Sequence, residues 1–267
     1  MPAQSAPNGA PSPVALIGVG EMGAVFARAL LSAGHPVHPV LRSTPLDTAA
    51  SRLPEPALAL VTVAETDLAP VLATVPDEWK DRIGLIQNEL LPRHWLAAGV
   101  AEPTVAVVWF EKKPGREVKV IVPTPIGGPA ASLLVDALAE VNIPAVRLDG
   151  LAELEFELVR KNLYILTANI AGLITGGTVG ELWNDHRDLA ERVVAEVLDI
   201  QEWLLGRPLD HRSLISGMVD AFAADPEHGA TGRSAPGRLA RALQHAATGG
   251  LATPTLESIR QETSSAA

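Results

Sequence analysis

Gly18-Val19-Gly20-Glu21-Met22-Gly23 follows directly on the apolar run Val14–Ile17 and leads into a stretch where Val25, Phe26, Ala29 and Leu30 recur at helical spacing. A strand that feeds a helix through such a loop narrows the fold sharply. The first glycine permits a tight turn, the second lets the backbone approach a pyrophosphate, and the third lets helix and strand pack closely, with the phosphate on the helix N-terminus. Gly34 ends the helix and Pro36 to Leu41 alternates towards a second strand, completing a β-α-β unit. A dinucleotide is therefore expected on Gly18, Val19, Gly20, Glu21, Met22 and Gly23; the alternative is a glycine-rich turn that binds nothing. Glu21 lies beside the amides that would hold the pyrophosphate, where its carboxylate either competes for those donors or points to solvent.

Arg42 closes the second strand nineteen positions after Gly23, where a protein that binds NAD usually places an acid for the ribose hydroxyl. An arginine there favours the 2′-phosphate of NADP, with Ser43 and Thr44 as further donors; the alternative is an ordinary surface arginine. Ala57–Val63 is a buried-strand candidate followed by Asp67 as a helix cap, and Arg82–Gln87 leads through another strand to Asn88. Strand C-termini line the ligand crevice of an open parallel sheet, so Asn88 either reaches a nicotinamide ribose or caps a loop. Val105–Phe110 and Val118–Val122 form a strand pair around the polar turn Glu111–Arg116, and Ser132–Val141 a helix.

Beyond Asp149-Gly150 the strand signal fades. Leu151–Ile174 is apolar nearly all round at helical period, Gly176-Gly177 interrupts it, and helices are expected over Glu181–Leu205, His211–Ala224 and Arg238–Ala247, with a Gly-rich loop from Asp225 to Gly237. The expected organisation is a tail over residues 1–12, a dinucleotide-binding domain over 13–148, a helical substrate and dimerisation domain over 149–262, and a tail over 263–267.

With 267 residues, 47% of them apolar, the chain can build such cores without staples; it has no Cys, which excludes disulfides and thiolate chemistry and fits a reducing cytoplasm. A net charge of −10 and the lack of a dense basic block argue against nucleic acid or anionic membrane as partners. No run is suited to span a membrane, and the seven His residues lack metal-ligand spacing.

Lys161 is the only lysine after Lys119, while ten arginines occupy the same span. Lysine can exchange its proton and arginine cannot, so this position points to a chemical need for an amine. On a helix Lys161 shares a face with Leu154, Leu158, Ile165 and Asn169. Either the two polar groups face a wet cleft that holds a substrate, or Lys161 snorkels to solvent or pairs with Glu157.

The glycine loop, Arg42, the strand ending in Gln87-Asn88, and Glu157-Leu-Val-Arg-Lys161 with Asn169 together resemble the ketopantoate reductase family. The resemblance implies a two-domain NADPH-dependent reductase, α/β in class, with an N-terminal Rossmann-type parallel-sheet domain and a mainly α-helical domain like that of 6-phosphogluconate dehydrogenase. It implies Lys161 as proton donor to the substrate carbonyl, Asn169 and Ser216 as substrate contacts, and Asn88 on the cofactor side. Trp183 and Trp203 are expected to pack the core or a dimer interface, and a homodimer through the helical domain is expected. The chain departs from the family pattern at Ala64, Glu89 and Ile165, and within Arg233-Ser234-Ala235-Pro236. These changes point to a carbonyl substrate, 2-oxo acid-like but more apolar than ketopantoate, or to an imine. The alternatives are a non-catalytic NADP(H) sensor or another hydroxyacid dehydrogenase-like oxidoreductase.

Overall fold

The computed structural model describes residues 12–265, so the N-terminal tail lies outside the described residues but for Ser12. Packing divides the chain into two compact units. One ends at Asn88 and resumes over His94–Leu154; the other takes Glu89–Arg93 and the chain from Glu155 on.

The first unit is built on a seven-stranded sheet in the order β2-β1-β3-β4-β5-β8-β9. Strands β1 (Val14–Ile17), β2 (Val37–Val40), β3 (Leu58–Val61), β4 (Ile83–Leu85) and β5 (Thr104–Ala106) run parallel. β8 (Thr124–Gly127) pairs antiparallel with β5, and β9 (Ala145–Arg147) parallel with β8. β1 and β3 are buried at every residue, as continuous apolar runs must be when both sheet faces are covered. Pro39 lies in β2, at the edge of the sheet, where its missing N–H leaves no ladder bond unmade. Helix α1 (Glu21–Ser32) packs Val25, Phe26, Ala29 and Leu30 inward against the sheet and against α5 (Ala131–Ala139).

Two expectations need correction here. The strand expected over Val105–Phe110 is split into β5 and β6 (Phe110–Glu111), which pairs with β7 (Lys119–Val120). Between them the Val107 amide still donates to the Pro125 carbonyl of β8 (2.8 Å), but that of Trp109 meets the Thr124 side-chain hydroxyl (3.2 Å), and β6 then pairs with β7 as a separate ribbon. Asp67 is not a cap: α3 (Glu65–Leu72) starts after Ala64, and Asp67 sits in its first turn. The remaining helix of this part is α2 (Leu46–Arg52), with a 3-10 turn over Asp77–Arg82; the short α4 (Pro92–Leu96) begins in the segment assigned to the second unit and ends in the first.

α6 (Leu151–Thr175) stands where the apolar periodicity places it, and Gly176 and Gly177, both at positive φ, end it. The expected helix Glu181–Leu205 is instead two, α7 (Val179–Asp185) and α8 (Arg187–Leu205), broken at His186 (φ −123°, ψ 32°). Asn184 and Asp185 precede the break, and such side chains compete with the helix for its own backbone groups. Thr178 and Glu181 form a capping box at the start of α7. α9 (His211–Ala224) matches its expected bounds and α10 (Ala235–Gly249) exceeds them. α11 (Pro254–Ser265) is a further helix, and its last three residues fall in the expected tail 263–267. Its first turn is capped from α8 by the buried Glu196, which accepts from the amides of Thr255 (2.7 Å) and Leu256 (2.9 Å).

Candidate functional site

In the first unit the sheet order places β1 between β2 and β3, so the loops after β1 and β3 leave at the point where strand order reverses. The loop after β1 holds residues 18–23. Gly18 has φ +92°, and a Cβ on Gly23 would lie 2.5 Å from the Gly18 carbonyl oxygen and 2.8 Å from Thr62 Oγ1, so neither position accepts a side chain without rearrangement. A Cβ on Gly20 would meet nothing within 4 Å. The second glycine is therefore open toward solvent where the other two are closed against the fold. Gly20 caps α1 with no side-chain hydrogen bond to the first turn, whose amides keep their capacity to donate. Open backbone, unclaimed helix amides and a helix dipole together fit a dinucleotide pyrophosphate.

The rest of the loop follows from its neighbours. Thr62, at the end of β3, donates to the Gly18 carbonyl (2.5 Å) and fixes the turn. Val19 is exposed and Met22 packs against the core. Glu21 is half exposed, with its carboxylate 3.8 Å from Lys112 Nζ. Arg42 is 92% exposed beyond β2 and bonds Asp67 at 3.0 Å. Asn88 Nδ2 donates to Glu65 Oε1 (3.2 Å) at the start of α3. Gln87 is structural: its amide nitrogen donates to the carbonyls of Val61 (2.9 Å) and Val63 (3.2 Å), tying β4 to the end of β3.

The second unit gathers a separate cluster around α6. Lys161 is buried, at 8% exposure, so it does not snorkel to solvent. Burial, then the charges of Arg238 and Arg160, bring its pKa down to about 7. Glu157, the alternative lysine partner, is instead gripped by Arg160 at 2.6 and 2.9 Å. The Tyr164 ring lies 5.4 Å from Lys161 Nζ and starts an aromatic row through Phe222 to Trp183. Asn169 accepts from Arg238 (2.6 Å) and donates to the Ala230 carbonyl (3.4 Å). Ile165 stands half-buried between Lys161 and Asn169 on the same face.

Sequence reasoning missed three members of this cluster. Arg238 and Arg241, one turn apart on α10, both bind Glu89: Arg238 Nε donates to Oε1 at 3.1 Å, Arg241 Nε to Oε2 at 3.0 Å, and the Arg241 terminal nitrogen also reaches Oε1. The one local signal was the three-residue spacing of the arginines. Ser216 is not drawn into the cluster; it is exposed on α9, beside Gly217, whose Cβ would lie 2.6 Å from Arg160 Cδ.

No family model and no curated protein matches the sequence. Solved structures do match. The 2-dehydropantoate 2-reductase of Methylococcus capsulatus superposes with a TM-score of 0.66 at 16% identity, over 92% of this chain and 94% of that one. The dimeric ketopantoate reductase of Staphylococcus aureus gives 0.63 at 16%, over 95% and 98%. The chain has the ketopantoate reductase fold. The same fold is shared by a D-mandelate dehydrogenase solved with NADH and anilino(oxo)acetate, with a TM-score of 0.66 at 15% identity over 95% and 97% of the two chains. The resemblance read from the glycine loop and the Lys161 helix thus holds at the level of fold. Among the described residues no helix is long and apolar enough to cross a membrane.

Proposed function

We propose that this chain is an NADPH-dependent reductase of a small carbonyl compound, with Lys161 as the proton donor. The observation that carries the reading is a lysine buried on α6 on the same face as Asn169, with burial and the charges of Arg238 and Arg160 bringing its pKa down to about 7. Such a group can release a proton at ordinary pH, which an exposed lysine does poorly. The open backbone at Gly20 and the uncapped first turn of α1 would hold the pyrophosphate, and Arg42, released from the exposed ion pair with Asp67, would take the 2′-phosphate. When bound, the reduced nicotinamide supplies the hydride that adds to the carbonyl carbon. As the carbon–oxygen π pair moves to oxygen, Lys161 gives that oxygen its proton and is left neutral, to be reprotonated from solvent. Asn169, held by Arg238, would orient the substrate, and Asn88 would meet the nicotinamide ribose; Ser216, exposed on α9 outside the cluster, is given no part in it. The S. aureus relative is described as dimeric, and we extend a homodimer to this chain.

A second reading is a dinucleotide-binding protein without turnover. It is favoured by the engagement of Asn169 by Arg238 and of Asn88 by Glu65, which occupies both amides within the chain. Incubation with NADPH and a panel of ketones, 2-oxo acids and imines separates the two. Consumption of the reduced cofactor with any of them supports the reductase, and tight cofactor binding with none supports the sensor.

A further inference from the structure

Glu89 is one of two described non-glycine residues at positive φ, the other being Asn142. Asparagine tolerates that conformation and glutamate has no local means of doing so, so something outside the backbone must hold Glu89 at φ +60°. The arginine pair supplies it. Both carboxylate oxygens are engaged, with guanidinium nitrogens of Arg238 on one and of Arg241 on both, and the Glu89 and Arg238 side chains are only 17% and 8% exposed. Planar guanidiniums converging on one carboxylate are the arrangement by which proteins bind carboxylate ligands. Arg238 reaches further: its other arm bonds Asn169, and its charge lowers the pKa of Lys161.

We propose that Arg238 and Arg241 form a carboxylate site that Glu89 keeps filled from within the chain, so that the compound reduced at Lys161 is an uncharged carbonyl compound and not a 2-oxo acid. This rests on the reductase reading above. A 2-oxo acid would have to displace a carboxylate that is tethered beside the arginines at high effective concentration. The displaced Glu89 would then be left largely buried without its partners, which adds a second penalty. A neutral ketone or ester meets neither obstacle, and the half-buried Ile165 on the Lys161 face adds apolar surface for it. Glu89 is thereby a specificity determinant: it acts by occupying the place of the substrate's charged group.

The test compares 2-oxobutanoate with its methyl ester on the wild-type chain, on Glu89→Gly, which suits the positive φ, and on Glu89→Gln, which keeps the shape and removes the charge. Binding is read first, as the shift in thermal midpoint with millimolar ligand. 2-Oxobutanoate should raise the midpoint of the variants and leave the wild type unmoved. Turnover is read second. The ester should exceed the acid in kcat/KM by about tenfold or more in the wild type, with the ratio falling about tenfold or more in the variants, as for loss of one charge-selective interaction. Stabilisation of the wild type by 2-oxobutanoate equal to that of either variant, or folded variants that gain no affinity for it, overturns the proposal. If the carboxylate-dependent shift appears and neither compound is reduced, the internal carboxylate site stands and the reductase reading fails.

Discussion

Asn169 Oδ1 accepts a 2.6 Å hydrogen bond from the Arg238 guanidinium, which fixes α6 to α10 at the level of the Lys161 face. The same guanidinium carries one of the two positive charges that, with burial, lower the pKa of Lys161. Replacing Arg238 with methionine removes a like charge, which favours the protonated amine, so the Lys161 pKa should rise above about 7. The basic limb of the turnover profile should move to higher pH with it, while Arg212→Met on the exposed start of α9 leaves the limb in place.

The glycine loop separates packing from binding. Gly23→Ala forces a Cβ to 2.5 Å from the Gly18 carbonyl, an overpacking that should cost about 1–3 kcal/mol in unfolding free energy. Gly20→Ala puts its Cβ into open space and should leave the melting temperature nearly unchanged. Dinucleotide affinity, measured by fluorescence titration, should fall in both, and its loss in Gly20→Ala without loss of stability marks the backbone there as the approach to the pyrophosphate.

Arg42 tests the choice of cofactor. Its ion pair with Asp67 is exposed and contributes little to stability, so Arg42→Ala should melt within about 0.5 kcal/mol of wild type. Its affinity for NADPH should fall by about 1.5–3 kcal/mol, the worth of a charged hydrogen bond, with NADH affinity unchanged. Equal losses for both cofactors would place Arg42 away from the 2′-phosphate.

Lys161 should also cost stability. Its folded pKa of about 7 lies below its ordinary 10.5, so between those values the unfolded chain binds the extra proton and stability rises with pH. Below about pH 7 the ammonium is charged in both states and the full burial penalty is present. Lys161→Met removes that penalty. Denaturant unfolding should therefore find the variant more stable than wild type near neutrality, with the gap closing as pH rises towards the ordinary lysine range.

What could be read in the sequence was local. The glycine loop, the four buried residues of β1 and the bounds of α6 follow from adjacent residues and a regular period. Lys161 stood out because ten arginines surround it in the same span and no lysine does. The features that escaped depend on distant partners. Glu89 meets Arg238 and Arg241 across separations of 149 and 152 residues, so no window of sequence joins them. α11 is mostly polar and takes its N-terminal cap from Glu196, about sixty residues earlier; the Thr253-Pro254 start was its sole local mark. Asp67 was misread for the same reason, because its carboxylate serves Arg42 and not its own helix.

The pH dependence of NADPH consumption with a neutral ketone, in the wild type and in Lys161→Ala, measures the proton donor itself. In the wild type, turnover is expected to be level at low pH and to fall as pH rises through about 7, as the amine loses the proton it must give. In Lys161→Ala, turnover should drop by about 10²–10⁴ and that limb should vanish. A Lys161→Ala chain that turns over as fast as wild type, with the same limb, would contradict Lys161 as the proton donor.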